Sequence, residues 1–136
     1  IAEREAEVLC DRLGLSQEHV RIVDVRDAAS PGNAAAVELC YEHVTEVFSV
    51  IGEVRKSAER VARDLADEVR EYIASERPVG PYLTDQLMVP LALLAGGRYA
   101  TGPLSEHSRT NMATAAMFGA EVAHDDGVVQ VRALGR

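Results

Sequence analysis

Residues 57–81, SAERVARDLADEVREYIASERPVGP, decide the architecture. Ala58, Val61, Ala62, Leu65, Ala66, Val69 and Ile73 recur every three or four residues, which is the stripe of a helix laid on a core. Ser57 is a good N-cap for it. Glu59, Arg60, Arg63, Asp64, Asp67 and Arg70 occupy the opposite, solvated face. The helix is predicted to run through residue 75. Arg77-Pro78-Val79-Gly80-Pro81 then breaks the pattern, because two prolines and a glycine cannot continue a helix. This break is the best domain boundary in the chain.

Upstream of the helix, residues 2–14 place Ala2, Ala6, Leu9, Cys10 and Leu13 at helical spacing, with Gly14 as a stop. Residues 19–26, HVRIVDVR, read as strand, and Ala28 to Asn33 as turn. Residues 35–42 alternate, with Val37, Leu39 and Tyr41 on one face and Glu38, Cys40 and Glu42 on the other. Residues 44–51 form another predicted strand, ended by Gly52. Downstream of the break, residues 82–95 read as a helix apolar all round, and therefore buried, with Pro90 kinking it. A short strand at 98–102 precedes a helix at 106–118, with Met112, Ala115, Ala116 and Phe118 inward. Strands at 120–124 and 128–133 are joined by Asp125-Asp126-Gly127, a hairpin signal. The order α-β-β-β-α, break, α-β-α-β-β gives an α+β fold of two small α/β layers, each with helices packed on one face of a mixed sheet. Each half reads as though its first strand were missing.

Composition narrows the function. The chain has 136 residues, 47% hydrophobic and 26% charged, which is globular composition. Acidic residues outnumber basic ones 22 to 14, a net charge of -8, which argues against a nucleic-acid coat protein. Only Lys56 among the cations is lysine, a mark of genome composition more than of function. The longest apolar run, Leu87 to Ala95, holds Pro90 and is too short for a membrane span. No basic-plus-apolar leader precedes the first helix, so no secretory signal is expected. The chain opens Ile1-Ala2-Glu3 inside a helix pattern, as a processed or truncated piece of a longer protein would. Cys10 and Cys40 stand 30 residues apart and read as reduced, buried thiols of a cytoplasmic protein.

Three polar spots could carry chemistry. Tyr82, Asp85 and Gln86 fall at i, i+3 and i+4 on one face of an otherwise apolar helix. An acidic group in a first turn also serves simply as a helix cap. Glu106-His107-Ser108-Arg109-Thr110-Asn111 is a polar cluster between a strand and a helix. His107 there is a base, a nucleophile, or a surface histidine. Ser30-Pro31-Gly32-Asn33 is a functional loop or a plain turn. His19, His43 and His124 have no metal-ligand spacing, and no metal ligand is assigned.

Five strings occur in this order: IAERE (1–5), SPGN (30–33), TEVFSVIGEVRKSAERVA (45–62), VGPYLTDQLMVPLALLAGG (79–97) and HSRTN (107–111). Together they resemble the C-terminal portion of RNA 3'-terminal phosphate cyclases, over essentially the whole chain. The resemblance implies a core repeat of two helices on a four-stranded sheet, shared with enolpyruvyl transferases, interrupted by a thioredoxin-like insert. Residues 1–77 would be the insert domain and residues 78–136 the C-terminal part of the last catalytic core repeat, each lacking its first strand. It also implies ATP-dependent conversion of an RNA 3'-phosphate to a 2',3'-cyclic phosphate through a histidine–AMP intermediate. By position, His107 would be the nucleophile. Tyr82 would stack on adenine, and Asp85 and Gln86 would lie near the ribose and the histidine. ATP and a divalent metal, Mg or Mn, are the implied cofactors, with metal and triphosphate ligands mostly outside this chain. Implied partners are RNA 3'-phosphate ends and the missing N-terminal portion of the same protein, with no membrane involved. The fragment alone is expected to be inactive. A non-catalytic scaffold for ribosome biogenesis and a distant enolpyruvyl-transferase relative are the other readings; His107 favours the enzyme.

Overall fold

A computed structural model describes residues 1–29 and 31–135. Ser30, the first residue of the expected Ser30–Asn33 loop, lies outside the described residues. The chain divides into two compact units, residues 1–41 with 47–74, and residues 42–46 with 75–136.

In the first unit, α1 (Ala2–Leu13) ends on Gly14, whose φ of 67° is the left-handed geometry of a C-cap. Strands β1 (Ala34–Cys40) and β2 (Thr45–Ile51) pair in a two-stranded sheet. Helix α2 (Ala58–Ser75) lays its apolar stripe on that sheet, and Ser57 caps it by accepting the Arg60 N–H at 3.2 Å. Leu9, Val37, Phe48, Leu65 and Val69 form the centre of the core. Arg4–Glu59 and Arg12–Asp67 ion pairs at 3.0 and 2.6 Å join α1 to α2 along their exposed flanks.

Three expectations fail here. Residues 19–26 form a 3-10 turn (Gln17–His19) followed by extended chain, with no strand. Ile22, Val23 and Val25 are exposed, because among the described residues no ladder partner lies beside them and an unpaired strand has nothing to hold it. In the last turn of α2 the inward residue is Tyr72 rather than Ile73, since Tyr72 packs edge-on against Tyr41 and tilted against Phe48. Cys10 is buried, but Cys40 is exposed on the outer face of β1.

In the second unit, β3 (Gly97–Ala100), β4 (Glu121–Asp125) and β5 (Val128–Arg132) form an antiparallel sheet of order β3-β5-β4. A single parallel bridge, Val79 to Thr101, extends its edge. Asp126 and Gly127, at φ 45° and 71°, make the hairpin turn between β4 and β5. Helices α3 (Pro81–Leu93) and α4 (Glu106–Met117) contribute Met88, Ala92 and Ala115 to the core of this unit, with Leu104, Val129 and Val131. Gly96 must stay a glycine, for a Cβ there would lie 2.9 Å from the Val131 carbonyl.

Helix α3 is not buried all round. Thr84, Met88 and Ala92, four residues apart, are its buried residues and Leu91 packs partly buried against the same core, while Val89, Leu93 and Leu94 are exposed. On α4, Ala115 is buried as expected, but Ala116 and Phe118 face solvent, Phe118 being 78% exposed. No described helix is long and apolar enough to cross a membrane.

Candidate functional site

The site is built where the first turns of α3 and α4 meet, within the second unit. Helix α4 is capped by Ser105, whose backbone is extended and whose side-chain oxygen accepts the Ser108 N–H at 3.1 Å. The two hydroxyls also share a hydrogen bond of 3.0 Å, and Ser108 is fully buried. With Ser108 turned inward, the helical period puts His107, Thr110, Asn111 and Thr114 on one outer face, at i, i+3, i+4 and i+7. Together with Glu106 and with Asp85 of α3 they line one open groove.

Helix α3 is held at its start by other means. Gly80 is the N-cap and Pro81 the first helical residue, where a missing N–H costs nothing. The Gly80 N–H donates to the Glu46 carboxylate at 2.6 Å. Glu46 is 1% exposed, and burial pushes its carboxyl above the usual range, with the Gly80 N–H opposing. One turn on, the Thr84 and Thr101 hydroxyls share a buried 2.6 Å hydrogen bond. The Tyr99 hydroxyl donates to the Thr84 carbonyl at 2.7 Å. Burial, reinforced by the charge of Asp85, pushes Tyr99 up to about 12, so it stays a donor at neutral pH. The Asn111 amide donates to the Asp85 carbonyl at 2.9 Å and ties α4 to α3.

Of the residues singled out in the sequence, Asp85 and His107 are brought into the same groove. The His107 imidazole is exposed and makes no hydrogen bond to Asp85 among the described residues. Tyr82 and Gln86 share the α3 turn with Asp85 but are exposed and stand outside the groove wall. Thr114 and the buried Glu46 were not singled out. Thr114 continues the spacing that starts at His107, so the helical period was a usable signal. Glu46 had none, because its partner lies 34 residues away. Arg109 pairs with Glu106 at 3.6 Å and leaves the groove mainly acidic and neutral. No group of three or more His, Cys, Asp or Glu is placed to hold a metal ion among the described residues. A second shallow groove, on the first unit between Glu7, Asp11, Arg12 and Arg63, holds none of the singled-out residues.

Chemically, the groove offers an accessible imidazole beside a carboxylate, with hydroxyl and amide groups along one helix face. That set suits a nucleophile or base acting on a polar substrate.

Residues 1–74 match the sequence profile of the RNA 3'-terminal phosphate cyclase (RTC) insert domain. Over 118 residues the chain is 39% identical to the RNA 3'-terminal phosphate cyclase of Koribacter versatilis (strain Ellin345), covering 87% of this chain and 33% of that relative. It therefore spans about a third of the length of the relative it matches. The α+β fold of two small units agrees with that similarity, and the chain belongs to the RNA 3'-terminal phosphate cyclase family.

Proposed function

We propose that this chain is part of an ATP-dependent RNA 3'-terminal phosphate cyclase, with residues 1–77 as insert and residues 78–136 as part of the catalytic core. The observation that carries the reading is the placement of His107 and Asp85 in one groove, with Asn111 bridging the two helices. An imidazole nitrogen of His107 attacks the α-phosphorus of ATP. The bond to pyrophosphate breaks, and AMP remains on the histidine. Imidazole suits this step because it is neutral and nucleophilic near pH 7 and leaves again as a good leaving group. An oxygen of the RNA 3'-phosphate then takes the AMP, breaking the N–P bond. The adjacent 2'-hydroxyl attacks the activated phosphorus, loses its proton, closes the ring and expels AMP.

Asp85 orients the imidazole or accepts its proton through the groove, a role that needs side-chain movement from the arrangement described. Tyr82 and Gln86, on the same turn, contact the nucleoside. A divalent cation would neutralise the triphosphate. The described residues hold no group of three or more His, Cys, Asp or Glu that fits such a cation, and residues of the rest of the protein would hold it. RNA 3'-phosphate ends, ATP and the remainder of the cyclase chain are the proposed partners, in the cytoplasm.

The test uses the longest natural chain containing this segment, with ATP labelled at the α-phosphate and a divalent metal. Wild type should acquire acid-labile, alkali-stable label, and His107→Ala none. A folded wild type that takes no label would leave the fold as a scaffold.

A further inference from the structure

We infer that Asn111 is a positioning residue for the proposed chemistry, fixing the turn of α3 that carries Asp85 against the turn of α4 that carries His107. The inference rests on the adenylylation reading and adds to it a group that need not touch the nucleotide.

The geometry is specific. Asn111 follows His107 by one helical turn, about 6 Å along the axis at 1.5 Å per residue, and lies on the same face. Its amide reaches across to the backbone carbonyl of Asp85 at 2.9 Å, and both residues line the groove. A bond to the main chain sets where the Asp85 Cα stands, whatever rotamer its carboxylate adopts.

Helix α3 needs that lateral support. Pro90 has no N–H and cannot donate to the Gln86 carbonyl four residues before it, so the internal ladder loses a rung beside Asp85. The preceding carbonyl, Thr84, is held from the other side by the Tyr99 hydroxyl at 2.7 Å. Two consecutive carbonyls are thus gripped by side chains, one from β3 and one from α4. Of the two grips, only Asn111 comes from the helix that carries His107.

The test is the transfer of label from ATP to His107 in the longest natural chain, with initial rates measured across ATP concentrations. Asn111→Ala and the isosteric Asn111→Asp, which exchanges the donor for an acceptor, should each lower the maximal rate about 10- to 100-fold, the scale of an ångström of misplacement. Half-saturation by ATP should stay within about threefold, since the inference concerns alignment rather than nucleotide contact. Asp85→Ala combined with Asn111→Ala should be no more than about threefold slower than Asp85→Ala alone, because Asn111 acts through the Asp85 turn. Hydrogen exchange over residues 81–93 should rise in both Asn111 variants and in neither Asp85 nor His107 variants.

Variants that label like wild type, losses that multiply with Asp85→Ala, or unchanged exchange in α3 would each overturn the inference while leaving His107 as nucleophile. A wild type without label overturns the adenylylation reading itself, and the positioning role falls with it.

Discussion

Valine at Thr101 or Thr84 keeps the shape of the side chain and removes one hydroxyl from a buried pair. The two hydroxyls are 2.6 Å apart, on residues 2% and 1% exposed, so water cannot replace a lost partner. Leaving a buried hydroxyl unsatisfied costs about 1–3 kcal/mol, whereas replacing both partners by apolar groups of the same shape is nearly neutral. The two single variants should not be equal. Thr84 sits in α3, where its hydroxyl can turn back to the Gly80 carbonyl four residues earlier. Thr101→Val should therefore fall at the low end, about 1 kcal/mol, and Thr84→Val, which strands Thr101, nearer about 3 kcal/mol. The double variant should recover to within about 1 kcal/mol of wild type. Urea unfolding followed by circular dichroism reads this directly. At a slope of about 1–3 kcal/mol per molar, the worse single variant lowers the midpoint by roughly 1 M or more. Strictly additive losses, with the double variant the least stable of the three, would refute the argument that the two hydroxyls satisfy each other.

Three further outcomes follow from the buried and titratable groups. Tyr99, raised from 10.0 to about 12, should titrate late in an absorbance titration at 295 nm, and Tyr99→Phe should remove that late step. Because the folded-state value is the higher one, the stability Tyr99 contributes is full below pH 10 and is lost as pH rises towards about 12, so Tyr99→Phe should be less sensitive over that window. Glu46 has the same sign: its contribution is full below the ordinary value of 4.5 and is lost as pH rises through its raised value. Glu46→Gln keeps an acceptor for Gly80, and should raise stability at pH 7 by about 1 kcal/mol while removing this loss with rising pH; a less stable variant at pH 7 would show that the charge at the α3 N-terminus outweighs its burial. Cys40 should react with a thiol reagent at the rate of a free exposed cysteine and Cys10 only on opening of the first unit; two equally fast thiols would contradict the packing of α1.

What could be read in advance depended on whether a residue's partner was local. The stripe of α2 and the Asp126-Gly127 turn are short-range signals, and both elements form as read. Tyr72 and Ile73 stand three and four residues after Val69, so the period alone allows either inward. The rings of Tyr41 and Phe48 decide for Tyr72. Beyond Gln86, helix α3 is apolar all round and so carries no signal for a buried face; the face is chosen by Thr84 through Thr101, a polar pair that hydropathy ranks as surface. Segment 20–25 has the composition of a strand, but pairing is a property of two segments. Glu5 and Glu46 are buried carboxylates because Asn33 and the Gly80 N–H reach them, at 2.7–2.8 Å and 2.6 Å, from 28 and 34 residues away. At the site, the residues alone mark Asp85 and His107 as two separate polar spots, and only the family resemblance sets one near the other. That they share a groove depends on the α3–α4 packing, which Asn111 closes through a backbone carbonyl no side-chain pattern records.

A chase experiment reads whether His107 carries AMP on its way to an RNA 3'-phosphate. The longest natural chain is labelled from ATP, freed of nucleotide, mapped by mass spectrometry, and mixed with RNA ending in a 3'-phosphate. AMP is expected on the peptide containing His107, to be lost on addition of that RNA but not of RNA ending in a 3'-hydroxyl, with a 2',3'-cyclic end formed in matching amount. AMP on another residue, or label on His107 that RNA 3'-phosphate does not remove, would contradict that role of His107.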